Sequence, residues 1–433
     1  MTTTELQIDA DLTDNVSAVV RLFNQRDWNV QASTAANMAA APVANVTPII
    51  AALRAGTNAD EFDIGVDLAY IELKEFLYSP LTLKIGRQDL WYGKGFIVGA
   101  NLRDPHGTVN AAEYTAISSF DAVRAILDYD PWTIDSVFAL ILENDIGSKD
   151  DEALLGTNVG YIFDVYNAEA EAYWFNKQDR STVPARNVKE HNNIHTVGLR
   201  GSADPIENWT IAAEGAYQFG DFVGFRDQLE TRDRSAYALD INAECRHFRD
   251  GYAWKPVVGT EYILYSGNQN EDRQNLNNAV GQYEGWDMMY RGKFDTAYRE
   301  FVGTFNVTHQ GLLARQLDYI ELFEDASVTN QHQVAAYGSL APTDSLTIDG
   351  RLSFFWQQYA RTIPQQMLNP GGLPGDDKRN EYLGSEIDIS LTWDYTEDVS
   401  FGLLTAWFFP GAHYADCSDD TATDVVGTVK LSF

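Results

Sequence analysis

The chain has 433 residues, with 31 Lys plus Arg against 63 Asp plus Glu, a formal net charge of −32, and 45% hydrophobic residues. That acid excess excludes a nucleic-acid binder, which needs a basic face to displace counterions from phosphate, and it excludes docking on anionic headgroups through a basic patch. The apolar content excludes a disordered chain, and two cysteines allow one disulfide at most, so bridges are not the main staple.

In chain order, Met1–Ala10 lacks the basic and apolar regions of a secretory leader. Either the protein stays inside the cell or the chain starts after processing, and the pattern downstream favours processing. No stretch reaches the roughly 18 apolar residues of a membrane helix. The nearest, Ala35–Leu53, is interrupted by Asn37, Pro42, Asn45, Thr47 and Pro48 and reads as a loop insertion with room for a short helix.

From there the dominant pattern is alternation, the mark of strands with two unlike faces. Phe62, Ile64, Val66, Leu68 and Tyr70 alternate with polar or small residues. So do Val123, Ala125, Leu127 and Tyr129; then Val197 and Leu199; then Trp209, Ile211, Ala213, Gly215 and Tyr217. Leu346, Ile348, Gly350, Leu352, Phe354 and Trp356 follow, and Ile387, Ile389, Leu391 and Trp393 close the series. These segments run about 9 to 12 residues, the length of a tilted strand crossing a bilayer, whereas soluble strands are nearer 5 or 6. Aromatic residues at their ends (Tyr129, Trp174, Trp356, Trp393, Tyr395) suit an interfacial girdle. The alternative is a large soluble β protein such as a propeller or β-helix, and the absence of a fixed repeat counts against it.

The connections alternate as well. Short turns are predicted at 11–15, 78–80, 130–131, 203–205, 341–344 and 396–398, and long polar loops at 27–60, 91–118, 178–193, 220–235, 267–330 and 360–380. That asymmetry belongs to an outer-membrane barrel, with short turns in the periplasm and long loops outside. The chain ends in an amphipathic strand closing on Phe433, similar to the assembly signal of such barrels. The expected fold is therefore all-β: one transmembrane antiparallel β-barrel domain over 1–433. Roughly 17 strands are countable where an even number is usual. A first strand upstream of Met1 makes 18; a miscount inside 267–330 or a true odd-numbered barrel are the other repairs.

Thr82-Leu83-Lys84-Ile85-Gly86-Arg87-Gln88 running to Tyr92-Gly93 resembles the "GRQ…YG" signature of the alginate export family of outer-membrane barrels. Four pieces follow in the family's order: Phe120–Arg124; His195–Gly201 leading to Glu214–Gly220; Gly259–Tyr262 running into Ser266-Gly267-Asn268; and Gly384–Asp388 before Phe409-Pro410-Gly411. The resemblance covers about residues 80 to 433. It implies an 18-stranded barrel exporting an anionic polysaccharide through an arginine-rich pore, and it carries the fold further than the cargo.

Candidate pore-lining residues are Arg21, Lys84, Arg124, Arg200, Arg246 and Arg351 with the acids Glu214, Glu261 and Asp349. Arg87 joins them only if a bulge near Gly86 turns it inward, because plain alternation from Leu83 and Ile85 points it outward. Acids outnumber bases on this face, so the arginines serve either as an anion path or as braces paired with acids such as Asp349.

No enzymatic motif appears: no Gly-x-Ser-x-Gly elbow, no phosphate loop, and the His191/His195 pair lacks a general-base Glu between its members. Cys245 and Cys417 read as two unpaired residues. No cofactor is expected beyond candidate Ca²⁺ collection at Asp376-Asp377 and 416–420, against which solvated loop charge is weighed. The expectation is a channel in the bacterial outer membrane passing an anionic poly- or oligosaccharide. The alternatives are a small-solute porin and a loop-plugged scaffold. Its partners are membrane lipid, the solute and periplasmic export or secretion proteins, with no nucleic acid.

Overall fold

The computed structural model describes residues 2–26, 64–102, 117–142, 151–180, 191–222, 231–246, 251–268, 282–297, 329–359, 362–364, 376–378, 381–413 and 420–433. In chain order the strands are β1 Thr2–Thr13, β2 Val16–Arg26, β3 Gly65–Leu73, β4 Leu81–Gln88, β5 Asn101–Leu102, β6 Ile117–Ser118, β7 Phe120–Tyr129, β8 Trp132–Leu142, β9 Glu152–Ile162, β10 Glu169–Asp179 and β11 Asn192–Ile206. They continue as β12 Trp209–Phe222, β13 Arg232–Cys245, β14 Val257–Tyr265, β15 Gln331–Thr343, β16 Leu346–Gln357, β17 Thr362–Pro364, β18 Asp376–Lys378, β19 Tyr382–Asp394, β20 Val399–Pro410 and β21 Ala422–Leu431. Seventeen belong to one sheet, and β5–β6 and β17–β18 are separate two-stranded pieces.

The strands group into two compact units. The first holds Met1–Tyr129, Thr133–Thr157 and Met289–Lys293; in it β1, β2, β3, β4 and β7 pair antiparallel in succession. The second holds Asp130–Trp132, Asn158–Met288 and Phe294–Phe433; in it β10 to β16 and then β19, β20 and β21 pair in the same manner.

Most long strands show two unlike faces. On β12, Ile211, Tyr217 and Phe219 are exposed, while Ala212, Glu214, Ala216 and Gln218 between them are buried. On β13, Tyr237 and Ile241 are exposed and Ala236, Ala238 and Asp240 buried. Exposed apolar side chains on one face and covered polar ones on the other invert a soluble protein's arrangement, and they fit strands bathed in lipid. We call these the outer and inner faces. Aromatic rings gather on the outer face near both strand ends. Trp132, Tyr161 and Phe163 meet edge to face at 4.6 Å beside the short turns. Trp174, His195 and Phe219 stack beside the long connections.

Three expectations shift. The phase of β3 changes at Asp67, where the register with β2 slips between Arg21 and Leu22. Val66 keeps its place on the outer face, but Leu68 is buried on the inner one. The turns expected at 203–205 and 341–344 fall later, at Glu207-Asn208 and Asp344-Ser345, because irregularities between Ala203 and Ile206 and between Leu340 and Thr343 let β11 and β15 run on. Among the described residues of 267–330 there is no strand, only single bridges at Tyr283 and Tyr290. The insertion Ala35–Leu53 lies outside the described residues.

Candidate functional site

The inner face is built of charged rows fixed by register. In the first unit Glu72 on β3 stands opposite Lys84 on β4, and Lys84 opposite Arg124 on β7. Two cations facing each other across neighbouring strands repel. Arg124 is compensated: Nε donates to Asp135 Oδ2 at 2.7 Å, a second guanidinium nitrogen reaches the same oxygen, and Tyr92 OH donates to Asp135 Oδ1 at 3.3 Å. Lys84 is not. Its Nζ sits 3.7 Å from the Tyr70 ring centroid, and among the described residues it makes no ion pair. Above this row Arg21 meets Asp67 at 2.6 Å and Asp89 at 3.4 Å, and Ser119 Oγ lies within 3.0 Å of both carboxylates. The slip at Asp67 is what brings that carboxylate to Arg21's side.

In the second unit the row reads Glu171, Arg200, Glu214, Asp240 across β10 to β13. Arg200 is clamped by Glu171 and by Glu169 at 2.6 Å. Glu214 faces another acid, Asp240, and accepts from Tyr173 OH at 2.8 Å. Tyr173 reaches it by lying across Gly198 on the strand between, where any Cβ would overlap the ring. The device repeats: Tyr337 lies across Gly259, and Arg351 sits over the Tyr337 ring at 5.7 Å to pair with Glu261.

The candidate residues therefore divide. Arg21, Lys84, Arg124, Arg200, Glu214, Glu261 and Arg351 lie on the inner face. Arg246 follows the end of β13, pairs with Glu244 at 2.7 Å and is bound to the turn through Asn208 O. Asp349 is exposed and accepts a long contact from Ser390 at 3.4 Å, so the partner of Arg351 is Glu261 rather than Asp349. Arg87 stays on the side of Ile85: the register runs unbroken through Gly86 into both neighbours, and Arg87 pairs with Asp121 at 3.2 Å. Gly86 takes φ +121°, where a Cβ would fall 2.2 Å from the Ala69 carbonyl oxygen, so the position requires glycine. Gln88 Nε2 then donates to Ala122 O at 3.0 Å, to Gly86 O at 3.2 Å and to Lys84 O at 3.3 Å. Gly86-Arg87-Gln88 is thus a device that holds β4 to β7.

His195 Nδ1 sits 3.3 Å from both Trp174 Nε1 and Asn176 Nδ2, two donors, so that nitrogen accepts. Among the described residues no group of three or more His, Cys, Asp or Glu is placed for a metal. Residues 414–419, with most of the acidic stretch and Cys417, lie outside the described set, and Cys245 is a free, buried thiol.

The sequence model of alginate export matches residues 2–428. The chain belongs to the alginate export family. Its fold is a transmembrane antiparallel β-barrel, and its place is the bacterial outer membrane. Solved structures bear out the architecture. The outer membrane protein opdK from Pseudomonas aeruginosa aligns at TM-score 0.50 and 10% identity, covering 99% of this chain and 92% of that one. OccD3 (OpdP) of Pseudomonas aeruginosa gives 0.50 and 11%, over 100% and 86%. A BenF-like porin from Pseudomonas fluorescens Pf-5 gives 0.50 and 8%, over 99% and 90%. No curated protein matches the chain. At these identities the likeness is one of fold, and family and fold together make this member an outer-membrane channel.

Proposed function

We propose that this alginate export family member passes an anionic poly- or oligosaccharide passively, and that its carboxylates make contact at Lys84 beside Arg124. The observation carrying the reading is the cation pair itself. Lys84 stands directly opposite Arg124 and, although Glu72 faces it from β3, makes no ion pair within 4 Å among the described residues. A passing carboxylate relieves the repulsion between the two, which a wall needed only for stability would have no reason to keep. Export partners in the periplasm belong to the same reading, and no catalytic step is part of it.

A small-solute porin is the second reading. It is favoured by the pairing of Arg21, Arg124, Arg200 and Arg351 with wall carboxylates, which leaves few free cations among the described residues of the inner face to hold a polyanion. Planar-bilayer recording separates the two. Polyuronate block of wild type, lost in Lys84→Glu with the barrel still assembled, supports saccharide passage. Conductance that polyuronate never blocks overturns it in favour of the porin.

A further inference from the structure

The long connection between β14 and β15 contributes a segment, Tyr283 to Asp287, whose anchors trace a path. It starts at a strand edge. β14 pairs with β13 only from Ala238 onward, so the edge of β13 before Ala238 lacks that neighbour. Tyr283 takes the place: its N–H donates to Asp233 O at 2.9 Å, its carbonyl accepts from Ser235 N–H at 2.8 Å, and it forms a parallel bridge with Arg234. The Tyr283 ring stacks on Phe222 at 3.6 Å and 1°, and Arg234 donates to Gly285 O at 2.7 Å. Trp286 N–H donates to Ser266 O at 3.0 Å.

Four residues after Tyr283 the chain lies over other strands. Gln218, on the inner face of β12, holds Asp287 by both backbone groups: Nε2 donates to Asp287 O at 2.8 Å, and Oε1 accepts from Asp287 N–H at 2.9 Å. Lys177 of β10 pairs with the Asp287 carboxylate at 3.3 Å. A segment fastened to the edge of β13, then to β12, then to β10, has crossed the inner face of the wall. Gln218 has no exposed surface, which is the mark of being covered by what it holds. A primary amide suits this use because it presents an N–H donor and a carbonyl acceptor side by side in one plane, as a facing strand would.

We infer that Gln218 is a positioning residue for the channel: it fixes the Tyr283–Asp287 crossing against the wall of the second unit and so sets the width left for passage there. The inference deepens the channel reading and rests on it. Gln218→Leu keeps the volume and removes both bonds; Gln218→Glu keeps only the acceptor. Each variant is assembled in detergent, checked by heat-modifiable mobility, and studied by amide exchange and planar-bilayer recording with neutral polymers of graded size. In Gln218→Leu the Asp287 amide exchanges at least about tenfold faster than wild type, the loss of one hydrogen bond, while β12 and β13 keep their protection. The same variant conducts more and admits larger polymers, and Gln218→Glu falls between. Unchanged exchange, or faster exchange with unchanged conductance and size limit, overturns the inference while leaving the channel intact. A wild type that carries no current sinks the channel reading and this inference with it. Conductance that rises without faster exchange also overturns it, because the segment then stayed in place.

Discussion

The two units solve one electrostatic problem with opposite signs. In the first, the inner row sets Lys84 against Arg124; in the second, it sets Glu214 against Asp240. Arg124 is relieved by Asp135, and Glu214 by the Tyr173 hydroxyl. The lesson is that a wall this acidic is not uniformly acidic inside. One unit sets two cations opposite each other and the other sets two acids, while Arg124, Arg200 and Arg351 each pair with wall carboxylates.

That contrast breaks most visibly at Arg200. Its side chain is 8% exposed, and it holds Glu171 and Glu169 together next to Glu214. Arg200→Met strands those acids, and loss of one member of a buried pair costs about 3–5 kcal/mol. With Glu169 nearly half exposed, the lower end of that range, about 3 kcal/mol, is expected. Lys84→Met removes a charge that makes no ion pair among the described residues and relieves Arg124, so stability should change by less than about 1 kcal/mol. Urea unfolding of both variants in micelles checks the difference; equal losses would erase the distinction between braced and unbraced cations.

The hydroxyls come next. Tyr173 supplies Glu214 with a hydrogen bond at 2.8 Å, whereas Tyr92 offers Asp135 a longer one at 3.3 Å beside an arginine already bound there. Tyr173→Phe should cost about 1.5–3 kcal/mol, the range for a bond to a charged group, and Tyr92→Phe well under that. The same unfolding assay reads both, and the reverse order would show that Arg124 does not satisfy Asp135.

Much of this architecture was legible in the sequence, and the limits are physical. Alternation in Val123–Tyr129 and Trp209–Tyr217 identifies the strands because burial on one face repeats every second residue. In the structure Arg124, Arg200 and Arg351 lie on the face opposite the exposed apolar residues of their strands. Alternation failed at Asp67, where one slipped residue flips the phase. It could not find the partner of Arg351, because Glu261 lies two strands away and the nearer Asp349 shares its own strand. The signal that was available is the glycine: Gly198 and Gly259 interrupt otherwise filled strands, and each marks a tyrosine crossing over. The Gln218–Asp287 clasp left no mark in local pattern, since 69 residues separate its members.

Selectivity sharpens the comparison at smaller energies. Lys84→Gln removes the cationic contact and should lower the anion-to-cation permeability ratio severalfold, and Glu214→Gln should raise it, each within about 1 kcal/mol. Reversal potentials across a salt gradient measure both. Shifts in the same direction would mean that passing ions do not meet these rows separately.

The smallest effect belongs to a charge outside the strands. Asp344, in the β15–β16 turn, accepts from Lys255 at 2.9 Å, and that ammonium holds its carboxyl below its ordinary value of 3.8. A carboxyl lowered on folding favours the folded state above its unfolded value, and the advantage fades as pH falls below 3.8 through the lower folded value. Asp344 is fully exposed to solvent and Lys255 half so, and the contribution is therefore slight and screened by salt. Lys255→Met should therefore lower the unfolding midpoint slightly at neutral pH and low salt. The difference from wild type should close once the pH is taken below the folded value of Asp344, and it should close equally in high salt at neutral pH. A gap that persists under acid would assign the effect to the aliphatic stem of Lys255 packing on the turn, and the ion pair would then contribute nothing measurable.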